Sequence, residues 1–237
     1  MNLEHKTIFV SGANRGIGKA IVEALLKQNV KKIYAAARKI EGVNFNDPRV
    51  VTIALDITNR EQIAKVAAQA SDVDVLINNA GALAFASVVS GKPEDLMSDM
   101  QVNYFGTLSM VNAFAPLLEK KGGGAIANVI SVVGLASIAS IGGYSASKAA
   151  LFSATQSMRA ELKSKNISVH GIFPGPIDTD MAKEFEMDKT SPAVTADNIV
   201  AGILAGKEDI FPDPMSTSTS TVWAANPKEL ERQFASM

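Results

Sequence analysis

The amino-acid sequence predicts an α/β protein built on one doubly wound parallel sheet with helices on both faces. Three observations predict it. Segments rich in β-branched residues alternate with helix-like segments almost throughout the chain. A glycine-rich turn at 12–18 follows the first strand-like segment and opens the first helix. Polar residues and glycines recur just past the strands, at Arg38, Asp56, Asn79, Ser131 and 174–179. Ligands bind beyond the carboxyl ends of the strands in such sheets. No composition break marks a second unit, so residues 1–237 read as one domain.

The elements follow in order. Residues 6–11 (Lys-Thr-Ile-Phe-Val-Ser) are β-branched and aromatic, which suits a buried strand. A helix over 19–28 places Ala20, Ile21, Ala24 and Leu25 on one face. Strands are expected at 32–37 and 50–55, with Arg38 and Asp56 at their ends. Thr58 is a suitable cap for a helix running to about Ala70. The strand at 73–77 leads into Asn78-Asn79-Ala80-Gly81. Pro93 can start a long helix that runs through Asn103 to about Lys120, and the glycines at 122–124 stop it. A strand at 125–130 ends at Ser131, a helix spans 146 to about 164, and a strand at 167–173 ends in Pro174-Gly175-Pro176. A helix near 196–205, a short strand at 210–211 and a last helix over 227–234 complete the chain. The Ser/Thr run at 216–221 reads as a flexible loop within a C-terminal extension of about 212–237.

Composition narrows the function. The 237 residues are 47% hydrophobic and 20% charged, which suits a globular chain with a large core. A net charge of −1 implies no general attraction to nucleic acid or to an anionic membrane. The absence of cysteine removes disulfides, thiolate nucleophiles and Cys-type metal sites, and two histidines are too few for a His-rich metal centre. No metal site is expected. There is no signal-peptide pattern and no apolar run long enough for a membrane span, so a cytoplasmic protein is the expectation.

The glycine turn has the spacing G-x-x-x-G-x-G. Gly12 would allow the tight turn, Gly16 the approach of a pyrophosphate, and Gly18 close helix packing. A phosphate loop of the nucleoside-triphosphatase kind fails here. Ala13 sits where its first glycine belongs, and Ala20 where its magnesium-binding hydroxyl belongs. Dinucleotide binding is therefore the reading. Arg38 lies twenty positions past Gly18. An acid near that position would bind ribose hydroxyls of NAD, whereas arginine suits the 2′-phosphate of NADP. Arg15 could reach the same phosphate, and two charged hydrogen bonds would contribute roughly 3–6 kcal/mol before ordering costs. NADP(H) is thus the preferred cofactor. NAD(H) is possible, because a register shift would bring Glu41 to the ribose, and pairing of Arg38 with Glu41 is the structural alternative.

Tyr144 and Lys148 are four apart at the start of a helix, on one face. An ammonium beside a phenol favours the phenolate and should bring Tyr144 down toward neutrality, making it a proton donor or acceptor. His170 lies mid-strand and reads as a hydrogen-bonded core residue, and His5 as a surface residue.

Together these residues resemble the short-chain dehydrogenase/reductase family. The likeness covers roughly residues 6–211. It is carried by Ser11-Gly12-x-x-x-Gly16-x-Gly18, Asn78-Asn79-Ala80-Gly81, Asn103, Ser131, Tyr144-x-x-x-Lys148 and Pro174-Gly175-x-x-x-Thr179. Ser11 stands where the family usually has Thr, and Val132 where a second Ser is common. The resemblance implies a Rossmann-type fold and a catalytic set of Asn103, Ser131, Tyr144 and Lys148. Tyr144 would protonate the substrate oxygen, and Ser131 would hydrogen-bond it. Lys148 would lower the Tyr144 pKa and bind ribose hydroxyls. Asn103 would hold a water that relays protons through Lys148. Cofactor contacts would come from Gly12, Asn14, Arg15, Gly16, Ile17, Gly18, Arg38, Asp56, Ile57, Asn79, Ala80, Gly81, Tyr144, Lys148, Pro174, Gly175, Ile177 and Thr179.

Substrate contacts are expected from Leu83, Phe85, Ser131, Val133, Ile138 and Tyr144. The segments 82–88 and 132–141 hold no cation, which disfavours a carboxylate or phosphate substrate. The expected substrate is an uncharged, apolar ketone or aldehyde, or the matching alcohol. A lid over about 180–195 is expected to cover the cofactor. The small residues Ala149, Ala150, Ser153 and Ser157 suit helix pairing in a homodimer or homotetramer. Two rivals remain: a noncatalytic dinucleotide sensor or scaffold on the same fold, and a Ser-Lys hydrolase using Ser145-x-x-Lys148, which lacks its companion Ser-Asp-Asn and Lys-Thr-Gly motifs.

Overall fold

The computed structural model describes residues 1–237. Seven parallel strands form one sheet: β1 (Thr7–Ser11), β2 (Lys32–Ala37), β3 (Val50–Ala54), β4 (Val75–Asn78), β5 (Gly124–Val129), β6 (Ile167–Ile172) and β7 (Asp209–Ile210). Their order is β3-β2-β1-β4-β5-β6-β7. The chain starts mid-sheet, winds out to β3, then returns to lay β4 against the other side of β1. The order therefore reverses between β1 and β4, and a crevice opens at their carboxyl ends.

Alternation along β1 divides the core. Ile8 and Val10 face α1 (Gly16–Leu26) and α6 (Pro192–Leu204), among Ile21, Leu25, Ile199 and Ile203. Phe9 points to the opposite face. Its ring lies 4.9 Å from that of Phe114 on α4 (Thr107–Lys120), beside α2 (Arg60–Gln69) and α5 (Gly142–Leu162). Both faces are thus covered, as a fully parallel sheet requires. No helix is long and apolar enough to cross a membrane.

The strand and helix pattern follows the sequence reading, with instructive departures. The α2 cap is Asn59, whose side chain accepts from the Gln62 amide, rather than Thr58. Thr58 instead donates its hydroxyl to Asp56. The helix expected over 93–120 is three pieces: α3 (Pro93–Asp99), a π-helical segment Met100–Gly106, and α4. A side chain at Gly106 would strike Ile57, so the backbone can pack closely there. Helix α5 begins at Gly142, and its two glycines belong to the helix. A Cβ at Gly143 would lie 2.5 Å from Leu96.

The Ser/Thr run is helical, not a loop. It lies in α7 (Pro214–Ala225), followed by α8 (Pro227–Ala235). Asp213 caps α7 by accepting from the Ser216 amide at 2.8 Å, and Pro214 is the first helical residue. The hydroxyls of Ser216, Thr217, Ser220 and Thr221 bond back to carbonyls three or four residues earlier, which satisfies them inside the helix. Leu230 and Phe234 of α8 then close over Val132, Val133 and Ile141. Asp213 also accepts from the Gly175 amide at 2.9 Å, which ties this extension to the segment after β6. Asp213→Ala should lower unfolding free energy by about 1–2 kcal/mol in a urea titration, the loss of a helix cap with a second donor left unpaired.

Candidate active site

One cleft of about 780 Å³ runs along the carboxyl ends of β1, β4, β5 and β6. At its first end the glycine turn is stitched to β4. Asn79 donates its amide hydrogens to the Ser11 and Gly12 carbonyls, both at 3.0 Å. The Ser11 hydroxyl accepts from the Asn79 and Ala80 backbone amides, both at 3.1 Å. Gly12 has φ +66°, and a Cβ there would lie 2.8 Å from the Ala80 Cα. A Cβ at Gly18 would overlap the Gly12 carbonyl and the Asn79 amide. Three backbone segments thus approach as only glycine permits.

The first turn of α1 carries no acid, and its cap residue Arg15 makes no side-chain cap bond. Its amides are open to an anion in the cleft. Gly16, at φ +55°, leaves room that a Cβ would fill against the Thr179 side chain at 3.2 Å. The cradle therefore fits the pyrophosphate of a dinucleotide. Arg38 and Lys39 sit at the end of β2 on the cleft rim, both exposed. Arg38 makes no ion pair, and Glu41 does not line the cleft. Arg15 pairs with Asp180 at 2.7 Å across the cleft mouth. Asp56 lines the same end, with one carboxylate oxygen engaged by Thr58.

At the other end, Ser131 follows β5 and donates its hydroxyl to the Pro174 carbonyl at 3.2 Å. Tyr144 and Lys148 face the cleft from the start of α5. The Lys148 ammonium lies 5.4 Å from the centre of the Tyr144 ring and donates to the Val129 carbonyl at 2.9 Å. Burial pushes Lys148 down to about 8, opposed by the charge of Asp99. Burial also pushes the Tyr144 phenol above its ordinary value. Asp99 adds to that, and the Ser131 hydroxyl opposes it. The expected fall of Tyr144 toward neutrality is therefore corrected for the protein alone: desolvation of the phenolate, with the Asp99 charge adding to it, holds the phenol up.

Every cofactor-contact residue named from the sequence lines this cleft. Of the catalytic and substrate residues, Asn103 and Phe85 do not. Asn103 is fully buried. Its carboxamide accepts from the Ala82 amide and donates to the Ala82 carbonyl and the Ser147 hydroxyl, all at 2.9 Å. Both amide hydrogens are engaged, so its side chain has none to offer a water. It still neighbours Lys148: a Cβ built on Gly81 would lie 3.0 Å from Asn103 Oδ1 and 3.7 Å from Lys148 Nζ. Phe85 is 45% exposed and stands outside the pocket, its ring 5.5 Å from that of Phe185.

The apolar wall joins Leu83, Val133 and Ile138 to Ile141, Phe185, Met187 and Met215. Met215 reaches the cleft on α7, a helix that the Ser/Thr composition of 216–221 conceals in the sequence. The Asp213-Pro214 pair, a cap followed by a first-turn proline, was the signal. Ser145 points away from the cleft: it donates to the Ile141 carbonyl at 3.1 Å and accepts from the Ile138 amide at 3.4 Å, which leaves no hydroxyl for hydrolase chemistry. His170 is buried, bonded to the Lys207 carbonyl at 2.6 Å, and does not line the cleft.

The short chain dehydrogenase family model matches residues 6–190. The chain belongs to the short-chain dehydrogenase/reductase family. A crystal structure of a short-chain dehydrogenase from Burkholderia cenocepacia, in complex with NADP, superposes with a TM-score of 0.94 at 38% identity, covering 99% of each chain. A 3-oxoacyl-(acyl-carrier-protein) reductase FabG of Vibrio cholerae is 33% identical over 235 residues, 96% of this chain and 93% of the relative. A Burkholderia phymatum family member in complex with NAD is 22% identical with a TM-score of 0.84, a likeness of fold.

Gly18→Ala gives a test of the stitched turn. Replacing a helical glycine by alanine ordinarily stabilises by up to about 1 kcal/mol. Here the overlap with Gly12 and Asn79 should reverse the sign and cost about 1–3 kcal/mol, read as a lower Tm in thermal unfolding.

Proposed function

We propose that this family member is an NADP(H)-dependent reductase of an uncharged, apolar ketone or aldehyde. The observation that carries the proposal is the pairing of Tyr144 and Lys148 at the apolar end of a cleft whose other end combines the glycine cradle with an arginine free of ion pairs. The NADP found with the Burkholderia cenocepacia relative supports the same cofactor here. The name of the Vibrio cholerae relative supports a keto group as the reacting function.

A bound nicotinamide cofactor would supply the hydride. The protein would supply the rest. Tyr144 gives its phenolic proton to the carbonyl oxygen as negative charge builds there. Ser131, turning from the Pro174 carbonyl, donates a second hydrogen bond to that oxygen. Preorganised donors at a developing oxyanion contribute most to such a step. Lys148, protonated below about 8, stabilises the phenolate that remains. Asn103 acts through its clamp on Ala82 and its place beside Lys148, holding the segment that carries Leu83. In the proposal the stretch 180–195 is the lid. Met181, Ala182, Phe185 and Met187 line the cleft, and the Arg15–Asp180 pair and the Phe85–Phe185 contact fasten it across the mouth. The exposed Ala149, Ser153 and Ser157 edge of α5 supports pairing with a second copy.

Tyr144→Phe should bind NADPH nearly as the parent does and lower kcat about 10²–10⁴-fold, followed by NADPH absorbance with a panel of aryl and alkyl ketones. Binding of NADPH with no turnover by the parent protein would favour the noncatalytic sensor instead. Arg38→Asp should move the preference from NADPH toward NADH, measured as the ratio of the two kcat/KM values. An unaltered ratio would assign the 2′-phosphate to another residue.

A further inference from the structure

Asp99 is a fully buried carboxylate behind the Tyr144 end of the cleft, and the proposed chemistry does not use it. It ends α3, has no exposed surface, and lies one helical turn before Asn103. Oδ1 accepts from the Ala84 amide at 3.1 Å. Oδ2 has no hydrogen-bond partner in the protein. A Cβ built on Gly143 would lie 3.5 Å from that oxygen, so the carboxylate abuts the residue preceding Tyr144.

Its neighbours form a pattern. Asn103 holds Ala82, Asp99 holds Ala84, and the Gly143 amide donates to the Ala86 carbonyl at 3.0 Å. Alternate residues of the 82–86 segment are thus pinned to α3, the π segment and α5. Asp99 sits behind this segment, on the side away from water. A buried carboxylate with one unsatisfied oxygen is costly unless a nearby positive charge or a proton compensates it. The charged groups acting on it are Lys148 from α5 and Asp95 from its own helix. The π segment and residues 82–88 carry no charged side chain. Lys148 is likewise buried, and Asp99 is the charge that opposes its desolvation.

We propose that Asp99 is a positioning residue for the Tyr144–Lys148 couple: a fixed negative charge, sealed behind the 82–86 segment, against which the Lys148 ammonium keeps its proton. This rests on the reading of Tyr144 and Lys148 as the proton-transfer couple. The carboxylate itself touches neither substrate nor cofactor. It acts through Lys148, and its bond to Ala84 sets the path of the segment that presents Leu83 to the cleft. Burial raises the Asp99 carboxyl to about 6, the Ala84 bond and the Lys148 charge opposing, so at neutral pH it is ionised and available as the counter-charge.

The sign of the pH dependence follows. A reductase that needs the Lys148 ammonium loses rate as pH rises through about 8. Removing the Asp99 charge removes what opposes the desolvation of Lys148, so that limb moves to lower pH. Asp99→Asn keeps an oxygen to accept from Ala84 while deleting the charge. The first measurement is NMR titration of the Lys148 side chain in nucleotide-free protein, with Lys148→Arg to assign the signal. The midpoint should fall by about one pH unit in Asp99→Asn, the size of a charge interaction at partly buried separations. The second is the pH profile of kcat/KM for reduction, whose high-pH limb should fall by the same amount. The third needs no variant of Asp99: the wild-type carboxyl carbon should titrate near about 6 rather than in the ordinary aspartate range.

An identical Lys148 midpoint in Asp99→Asn and wild type overturns the proposal, as does an Asp99 carboxyl that stays protonated up to about 8, where Lys148 titrates, since it would then carry no charge. A shifted midpoint with an unmoved kinetic limb overturns it as well, since the rate would then not follow the ammonium. Unchanged turnover in Tyr144→Phe instead overturns the underlying reading and leaves the Asp99–Lys148 titration standing, so the two failures are distinguishable.

Discussion

The close approach of the glycine turn to the end of β4 is the contact on which the rest depends. The sheet order reverses between β1 and β4, so the crevice exists only if these two strands end side by side. Four hydrogen bonds between Ser11–Gly12 and Asn79–Ala80 hold them there. Gly12 and Gly18 make the distance possible, because a Cβ at either would strike backbone. The first turn of α1 then points its free amides into the crevice, and Arg38 and Asp56 arrive at the rim on the ends of the neighbouring strands. Asn79, one of the cofactor contacts the family resemblance implies, lines the cleft while its amide hydrogens brace the turn.

The opposite end of the cleft poses an electrostatic conflict. An apolar pocket suits a neutral carbonyl substrate, but burial disfavours both the phenolate of Tyr144 and the ammonium of Lys148. The two effects oppose the use of the pair as a proton donor and its stabilising charge. The sheet supplies one remedy, the Val129 carbonyl that accepts from Lys148. Asp99 supplies another by its charge, which favours the ammonium. Its charge also disfavours the phenolate, so the balance depends on how near each group lies. The π segment matters for this reason. It alters helical register between α3 and α4, and it carries Asn103 to the Ala82 backbone just after Asp99 has reached Ala84.

The C-terminal helices complete the apolar wall. Asp213 joins the cap of α7 to the Gly175 amide, so the cleft floor after β6 and the helix that delivers Met215 are fixed by one side chain. Leu230 and Phe234 then exclude water from behind Val132, Val133 and Ile141. The cleft is therefore bounded by residues more than two hundred positions apart in sequence, from Gly12 to Met215.

By itself the sequence determined the parallel α/β sheet, the strand ends, the glycine cradle and the Tyr144–Lys148 pair. Those features are local: a period of two or of about four residues, or a turn that only glycine can make, is written in adjacent positions. The residues it named as cofactor contacts all line the cleft, because in a parallel sheet strand ends converge whatever the details of packing. Tertiary structure alone decided the rest. It made the Ser/Thr run a helix by capping it with Asp213 and giving its hydroxyls backbone carbonyls to bond. It engaged the Asn103 side chain as a clamp and moved Phe85 to the mouth. It raised Tyr144 rather than lowering it, since desolvation depends on what encloses a group and not on its neighbour four residues away. For the same reason no pattern in the sequence marked Asp99, whose importance comes from segments 82–86, 99–106 and 142–148 closing around it.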